Sequence, residues 1–129
     1  MKKVDVKFKK LEIVRAFPRD NSVEVRLLLN DGKEKLMSRS LKLDNTVQVA
    51  DELIQEVRDK MQLLHKSEAS YDDVLSGITI IKFVQDEDVL LEKIAKFLAS
   101  AREKIKVASA GRLSYYDMEL QLKKSVLDF

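Results

Sequence analysis

Residues that could support metal binding or acid–base catalysis are few in this chain. It has one histidine, His65, and no cysteine. A metal site needs several convergent ligands, so we interpret His65 as a residue near the end of a helix that interacts with the helix dipole. Acidic residues cluster at 72–73 and at 86–88, where they could bind Mg²⁺, but Asp is also a preferred residue at helix caps. We therefore predict no catalytic residue, no metal and no cofactor; a divalent ion held between the two clusters is the alternative.

Phosphate-binding and nucleophile motifs are not found either. The chain has three glycines, no GxGxxG or GxxxxGK[ST] motif, and no GxSxG motif around a serine. The nearest candidate is "ASAGRLS", where Gly111 gives backbone freedom, Arg112 gives charge, and the helix start at Ser114 gives free N–H groups. A plain helix–helix corner needs the same residue types. The sequence favours a protein that is not an enzyme, with small-anion or nucleotide binding at 109–114 as one alternative function.

Charge is distributed unevenly along the chain. Residues 1–43 contain 12 Lys/Arg against 6 Asp/Glu, whereas residues 44–88 contain 4 against 11. A sheet with one basic face could bind the phosphates of RNA or DNA. The competing interpretation is that alternating lysines protect an exposed sheet, and aromatic residues that would stack on bases are scarce in this region. The nucleic-acid hypothesis names as contacts Lys7, Lys9, Lys10, Arg26 and Arg39.

Three strands in an antiparallel meander position these basic residues. Residues 4–17 alternate with a period of two, but the parity of the apolar residues slips at Lys9-Lys10. A β-bulge there would keep one continuous apolar face; a short turn that splits the segment into two strands is the alternative. Residues 23–29 and 33–41 form the second and third strands.

The hairpin between the second and third strands has two candidate registers. A two-residue loop, Asp31-Gly32, suits a type I′ turn and puts Arg39 opposite Glu24 on the outer face. A longer loop that includes the preceding residue puts Arg39 opposite Val23 on the apolar face, where the charge would need an acid or a ligand. We favour the first register.

Helices dominate the rest of the chain. Asn45 with Gln48 three residues later resembles a capping box at the start of the first helix. The nearly continuous apolar run 77–84 predicts an internal strand covered on both faces. A second helix follows, and Ser114 begins a last helix that extends to about Asp128. The order β-β-β-α-β-α-α defines an α+β fold.

The length of 129 residues fits a single domain, 1–129, with 112–129 as a candidate C-terminal helical arm. No apolar run reaches the length of a membrane span and the first residues do not resemble a signal peptide, so we expect a cytoplasmic protein. The last helix has a wide apolar face that could pack across the boundary of a homodimer; alternatively, all three helices cover the sheet. The leading hypothesis is a non-catalytic protein-interaction domain that self-associates through Tyr115, Met118, Leu122, Val126 and Phe129.

Overall fold

The computed structural model describes residues 2–72 and 77–129. Its element order confirms the α+β class and the order β-β-β-α-β-α-α, with one short strand added at the end. A turn of 3₁₀-helix, Pro18–Asp20, follows the first strand. The strands are β1 Lys2–Phe17, β2 Ser22–Asn30, β3 Glu34–Lys42, β4 Thr79–Phe83 and β5 Val126–Asp128, and the helices are α1 Thr46–Ser67, α2 Glu87–Ser109 and α3 Tyr115–Lys124.

The sheet is built around β1. The strand order is β3-β2-β1-β4, with antiparallel pairing throughout except between β1 and β4, which are parallel. β5 pairs antiparallel with Lys10, Leu11 and Glu12 of β1. These three residues also pair with β2. β5 therefore lies on the edge of β1 that faces away from β2. The long strand β1 therefore serves as the template for three other strands.

β1 contains the bulge that its sequence predicts. The register with β2 shifts between Phe8 and Lys10, and again between Ile13 and Arg15. Each shift resets the alternation of side chains, so Phe8 and Leu11 both lie in the core although their numbers differ in parity. The predicted bulge is confirmed, and the second one has no counterpart in the sequence analysis.

The helices pack on one face of the sheet and form the core with it. The ring of Phe8 lies at the centre and makes edge-to-face contacts with Phe83 and Phe129, with centroids 5.2 and 5.5 Å apart. Each such pair contributes about 0.5–1.5 kcal/mol beyond the burial of its area. The fully buried side chains of the two layers include Val6, Leu11, Leu27, Leu29, Leu53, Ile94, Leu98 and Leu122.

Gln85 continues the sheet beyond the end of β4. Its Oε1 accepts the Phe8 N–H at 3.0 Å, and its Nε2 donates to the Phe8 carbonyl at 2.7 Å. A side-chain amide has the same donor and acceptor as a peptide group. Gln85 therefore takes the place of the strand residue that β4 lacks at this position.

In two details the C-terminal half differs from the sequence prediction. The strand at 77–84 was expected inside the sheet, but β4 pairs only with β1 in the part of the chain that the structure describes, and Ile78 and Ile80 stay 60% and 39% exposed. The last helix ends at Lys124 rather than Asp128, because Ser125 adopts an extended conformation and residues 126–128 pair with β1.

Candidate functional site

The face of the sheet that points away from the helices, called the open face below, gathers most of the basic residues of β1 and β2. Exposed side chains alternate with buried ones along these strands, and residues paired on neighbouring strands share one face. No helix covers this face in residues 2–72 and 77–129. Among the described residues it carries seven basic and five acidic side chains: Lys3, Lys7, Lys10, Arg15, Arg26, Lys42 and Lys82 against Asp5, Glu12, Glu24, Glu34 and Asp128.

Part of this positive charge is neutralised within the open face. Glu12 lies 3.7 Å from Lys10 Nζ and 3.4 Å from an Arg26 guanidinium nitrogen. Both pairs are partly exposed, so each contributes about 0–1 kcal/mol to stability. Of the predicted nucleic-acid contacts, Lys7, Lys10 and Arg26 lie together on the open face, and Lys9 is exposed in the bulge.

Arg39, the fifth predicted contact, lies on the other face of the sheet. Strand pairing puts Arg39 opposite Val25, with a loop at residues 31–33. This register differs from the favoured one by one residue and from the alternative by two, so Arg39 lies on the apolar face as it does in the alternative. Because Val25 is buried under the helices, Arg39 lies on that side, where its Nε donates to the carboxylate of Glu56 on α1. The half-buried charge thus has the acidic partner that a position on the apolar face requires.

The longer hairpin loop has a local cause. Asn30 Oδ1 accepts the Gly32 N–H at 2.9 Å, and Asp31 Oδ1 accepts the Lys33 N–H at 3.2 Å. Asn and Asp side chains that accept from the backbone two residues later stabilise a wider turn. These two contacts favour a three-residue loop over the type I′ turn predicted from the Asp-Gly pair.

A groove runs between the outer edge of β3 and helix α1; it is called the edge groove below. It consists of two clefts that lie end to end, one of about 400 Å³ along residues 35–38 and one of about 230 Å³ along residues 39–42. Leu36 and Leu63, which line the larger cleft, are 67% and 69% exposed. The outer edge of β3 pairs with no other strand in the described residues. Its backbone groups therefore lie beside an exposed leucine on each side, Leu36 on the open-face side of the strand and Leu63 on α1.

His65 forms a buried pair with Asp31 of the hairpin loop. His65 Nε2 donates to Asp31 Oδ2 at 2.5 Å, and the two side chains are 11% and 2% exposed. Burial raises the pKa of the Asp31 carboxyl, but the hydrogen bonds from His65 and the Lys33 N–H, with the charges of His65 and Lys35, outweigh it and lower the pKa below its usual value. The sequence gives no signal for this pair, because its members are 34 positions apart.

An open cleft of about 610 Å³ adjoins the His65–Asp31 pair. Lys2 Nζ donates to the His65 carbonyl at the end of α1 at 3.4 Å, so a basic side chain lies at this end of the helix, which the helix dipole favours. His65 is not placed to act as a general base, because Nε2 donates to Asp31 and Nδ1 is buried, with no partner among the residues described. The charged residues that line the cleft are Lys2, Lys3, Asp5, Asp31, Lys33, Lys35 and Glu68.

The junction between α2 and α3 has the geometry of a helix–helix corner. Gly111, at φ 77°, and Arg112 donate their N–H groups to the carbonyls of residues 107–108, the pattern of a Schellman motif. Ser114 Oγ accepts the Asp117 N–H at 3.1 Å and donates to the Asp117 carboxylate at 2.8 Å. The first turn of α3 therefore already holds a carboxylate. Anion binding by Gly111, Arg112 and Ser114 stays a prediction.

The five apolar residues predicted for self-association are divided between the core and the surface. Met118 and Leu122 are 2% and 0% exposed and belong to the core, and Phe129 packs against it. Tyr115 and Val126 are 55% and 40% exposed. The last helix thus packs within the chain through one side, and its role in self-association stays a prediction for the exposed side.

Metal-binding clusters and membrane-spanning helices do not occur in the described ranges 2–72 and 77–129. No group of three or more His, Asp or Glu there could hold a metal ion, and no helix there is both long and apolar enough to cross a membrane. In one acidic cluster, Asp86 caps α2 by accepting the N–H groups of Asp88 and Val89. In the other, Asp73 lies outside the described residues.

Comparisons with known proteins assign no function to this architecture. No family model, curated protein or solved structure matches the chain. Its fold and surfaces define an α+β domain with helices on one face of the sheet, a basic open face and a strand edge without a partner strand in the described residues. A function has to be inferred from these surfaces.

Proposed function

We propose that this chain is a non-catalytic protein-interaction domain that associates with a second copy of itself. The observation that carries the proposal is the edge groove, where Leu36 and Leu63 are exposed beside the outer edge of β3. Exposed apolar side chains beside an unpaired strand edge are typical of binding surfaces. Burying the two leucines would contribute about 2–4 kcal/mol, from about 25 cal/mol per Å² of apolar area.

The arrangement of His65 supports the non-catalytic part of the proposal. Its pairing with Asp31 ties the hairpin loop to the end of α1 and leaves no ring nitrogen directed at solvent. The pair therefore has a structural explanation that needs no substrate. A buried histidine with a carboxylate partner stabilises the packing of two elements that are distant in sequence.

Sedimentation equilibrium from low to high micromolar concentration tests self-association. We expect a monomer–dimer equilibrium for the wild-type chain and a monomer for the double variant Leu36→Lys with Leu63→Lys. The matched control is Tyr115→Lys with Tyr116→Lys, which changes two residues of α3 that are 55% and 72% exposed and should remain dimeric. If the tyrosine variant were monomeric and the leucine variant dimeric, self-association would be assigned to α3. A strictly monomeric wild type would contradict the proposal.

A second candidate function is binding to the phosphate backbone of nucleic acid through the open face. The observation that favours it is the excess of basic over acidic side chains, seven against five, on one uncovered surface among the described residues. Phosphate contacts of this kind give binding that depends little on sequence and weakens steeply with salt, because bound counterions are released on association.

A mobility assay over a range of salt concentrations tests this second function. Replacing Lys7, Lys10 and Arg26 with Gln should weaken binding and lower the slope of log K against log salt by about 1 for each phosphate that the variant no longer neutralises. The matched control replaces three lysines of the helices with Gln: Lys96, Lys106 and Lys123, whose side chains are 77%, 64% and 51% exposed. Equal effects of the two triple variants, or no binding by the wild type at low salt, would contradict it.

A further inference from the structure

We infer that the second copy docks by antiparallel pairing of its β3 strand with β3 of the first, around a twofold axis that passes beside Ser38. This inference rests on the proposed self-association and names its surface. The two four-stranded paths, each in the order β3-β2-β1-β4, would then join into one continuous sheet. Twofold symmetric dimers use the same surface on both subunits, so the outer edge of β3 must be complementary to itself.

The backbone of β3 meets this condition at Ser38. The Leu43 N–H donates to the Asn21 carbonyl at 2.8 Å, in the same register as the β2–β3 pairing. Hydrogen-bonded positions alternate along an antiparallel pair, so residues 35, 37, 39 and 41 direct their backbone groups to β2. The backbone groups of Leu36, Ser38 and Ser40 therefore point outward, symmetrically about Ser38, where they can form a ladder with a second strand.

The charges at the two ends of β3 are complementary under the same symmetry. Glu34 and Lys42 are both exposed and lie four residues to either side of Ser38. Twofold pairing puts Glu34 of each copy opposite Lys42 of the other, which gives two opposite-charge pairs across the interface. Charged residues on a strand edge oppose pairing with unrelated strands, but here they match a second copy.

The edge groove is complementary to itself as well. The end along residues 35–38 is lined by two basic residues, Lys35 and Lys60. The end along residues 39–42 is lined by two acidic and two basic residues, Glu52, Glu56, Arg39 and Lys42, and Arg39 pairs with Glu56. A twofold axis at Ser38 brings the basic end of one copy towards Glu52 of the other, since Arg39 there pairs with Glu56 and Lys42 lies opposite Glu34. The exposed Leu36 and Leu63 lie near the joined edges and become shielded from water there.

One hydrogen bond already occupies part of this edge. Arg39 Nη1 donates to the Ser38 carbonyl at 2.8 Å. A carbonyl oxygen has two lone pairs, so it can accept from a strand of the second copy and from Arg39 together. The ion pair with Glu56 holds the Arg39 guanidinium in place and limits its movement across the edge.

Single-cysteine variants test the pairing directly, because the chain has no cysteine of its own. Under the proposed register the two Ser38 Cα atoms lie about 5.5 Å apart, within the range that a disulfide spans. Each Ser40 lies opposite Leu36 of the other copy, so the two Ser40 residues are offset by four positions along the paired strands and their Cα atoms lie about 14 Å apart. Ser38→Cys should therefore form a disulfide-linked dimer under mild oxidation and Ser40→Cys should not, but Ser40→Cys mixed with Leu36→Cys should cross-link.

Ser38→Pro provides an independent test. The Ser38 N–H points away from β2, so proline removes only a group of the free edge, and proline is accepted on edge strands. We expect this variant to be monomeric in sedimentation with a far-UV circular dichroism spectrum like that of the wild type. A wild type that dimerises without the Ser38→Cys cross-link, or a dimeric Ser38→Pro, would overturn the β3 interface and leave self-association in place. A monomeric wild type would overturn both.

Discussion

The buried pair between His65 and Asp31 predicts a loss of stability in Asp31→Asn at neutral pH. Asparagine keeps the shape of the side chain but removes the charge of a carboxylate that is 2% exposed and accepts from His65 Nε2 and from the Lys33 N–H. A hydrogen bond to a charged group contributes about 1.5–3 kcal/mol, against about 0.5–1.5 kcal/mol for a neutral one. We therefore expect a loss of about 1–1.5 kcal/mol.

The same pair predicts how this loss depends on pH. The pKa of Asp31 is lower in the folded protein than the usual value of 3.8, so the carboxylate stabilises the folded state above that value. This contribution is lost as pH falls through the folded pKa, because the native carboxyl must then take up a proton. Asp31→Asn has no such proton to bind, so the stabilities of variant and wild type should converge in acid.

Urea denaturation followed by far-UV circular dichroism at several pH values measures both effects. At neutral pH the expected loss corresponds to a fall in Tm of roughly 3–7 °C for a domain of this size. The control is Asp51→Asn, an exposed aspartate of α1, which should change stability by less than about 0.5 kcal/mol. A difference between Asp31→Asn and wild type that stays constant from neutral to acid pH would refute the reasoning, because it could not come from the carboxylate charge.

Two further substitutions check how the C-terminal part of the chain is held. Leu122→Ala should lower the free energy of unfolding by about 2–5 kcal/mol in chemical denaturation, because this side chain is fully buried. Leu120→Ala, on the exposed side of the same helix, should lower it much less. Equal losses would contradict packing of α3 within the chain. Gln85→Ala should lower the free energy of unfolding by about 1–3 kcal/mol, because the Phe8 N–H and carbonyl lose their partner. The control is Gln121→Ala, at an exposed position of α3. A loss no larger than that of the control would show that water replaces the amide of Gln85.

Local features of the fold could be predicted where the signal lies within a few residues. The parity slip at Lys9-Lys10 predicts the first bulge of β1, because a change of face leaves a direct trace in the apolar pattern. The caps are similarly local: Asn45 accepts the Gln48 N–H at the start of α1, and Ser114 accepts the Asp117 N–H at the start of α3. In these cases the residues that make the contact are three positions apart.

Features that depend on contacts between distant segments could not be predicted. The position of β4 at the edge of the sheet follows from pairing with β1, and a run of apolar residues looks the same in an edge strand as in an internal one. The side chain of Arg39 changes face with a shift of one residue in the hairpin, and the loop is set by contacts of Asn30 and Asp31 that compete with the turn preference of Asp-Gly. Both the edge groove and the His65–Asp31 pair depend on such arrangements.

The two proposed functions are compatible, and together they predict binding that depends on the length of the nucleic acid. Pairing of two β3 edges leaves the open faces free and places them side by side, in a sheet about eight strands and roughly 34 Å wide at 4.8 Å per strand. That width corresponds to about 10 base pairs of duplex at 3.4 Å each. A duplex of about 20 base pairs can contact both copies, so the wild type should bind it more tightly, and with a steeper salt slope, than Ser38→Pro does. A duplex of about six base pairs reaches only one copy and should bind both proteins equally. If wild type and Ser38→Pro showed the same dependence on length, the two open faces would not act as one surface.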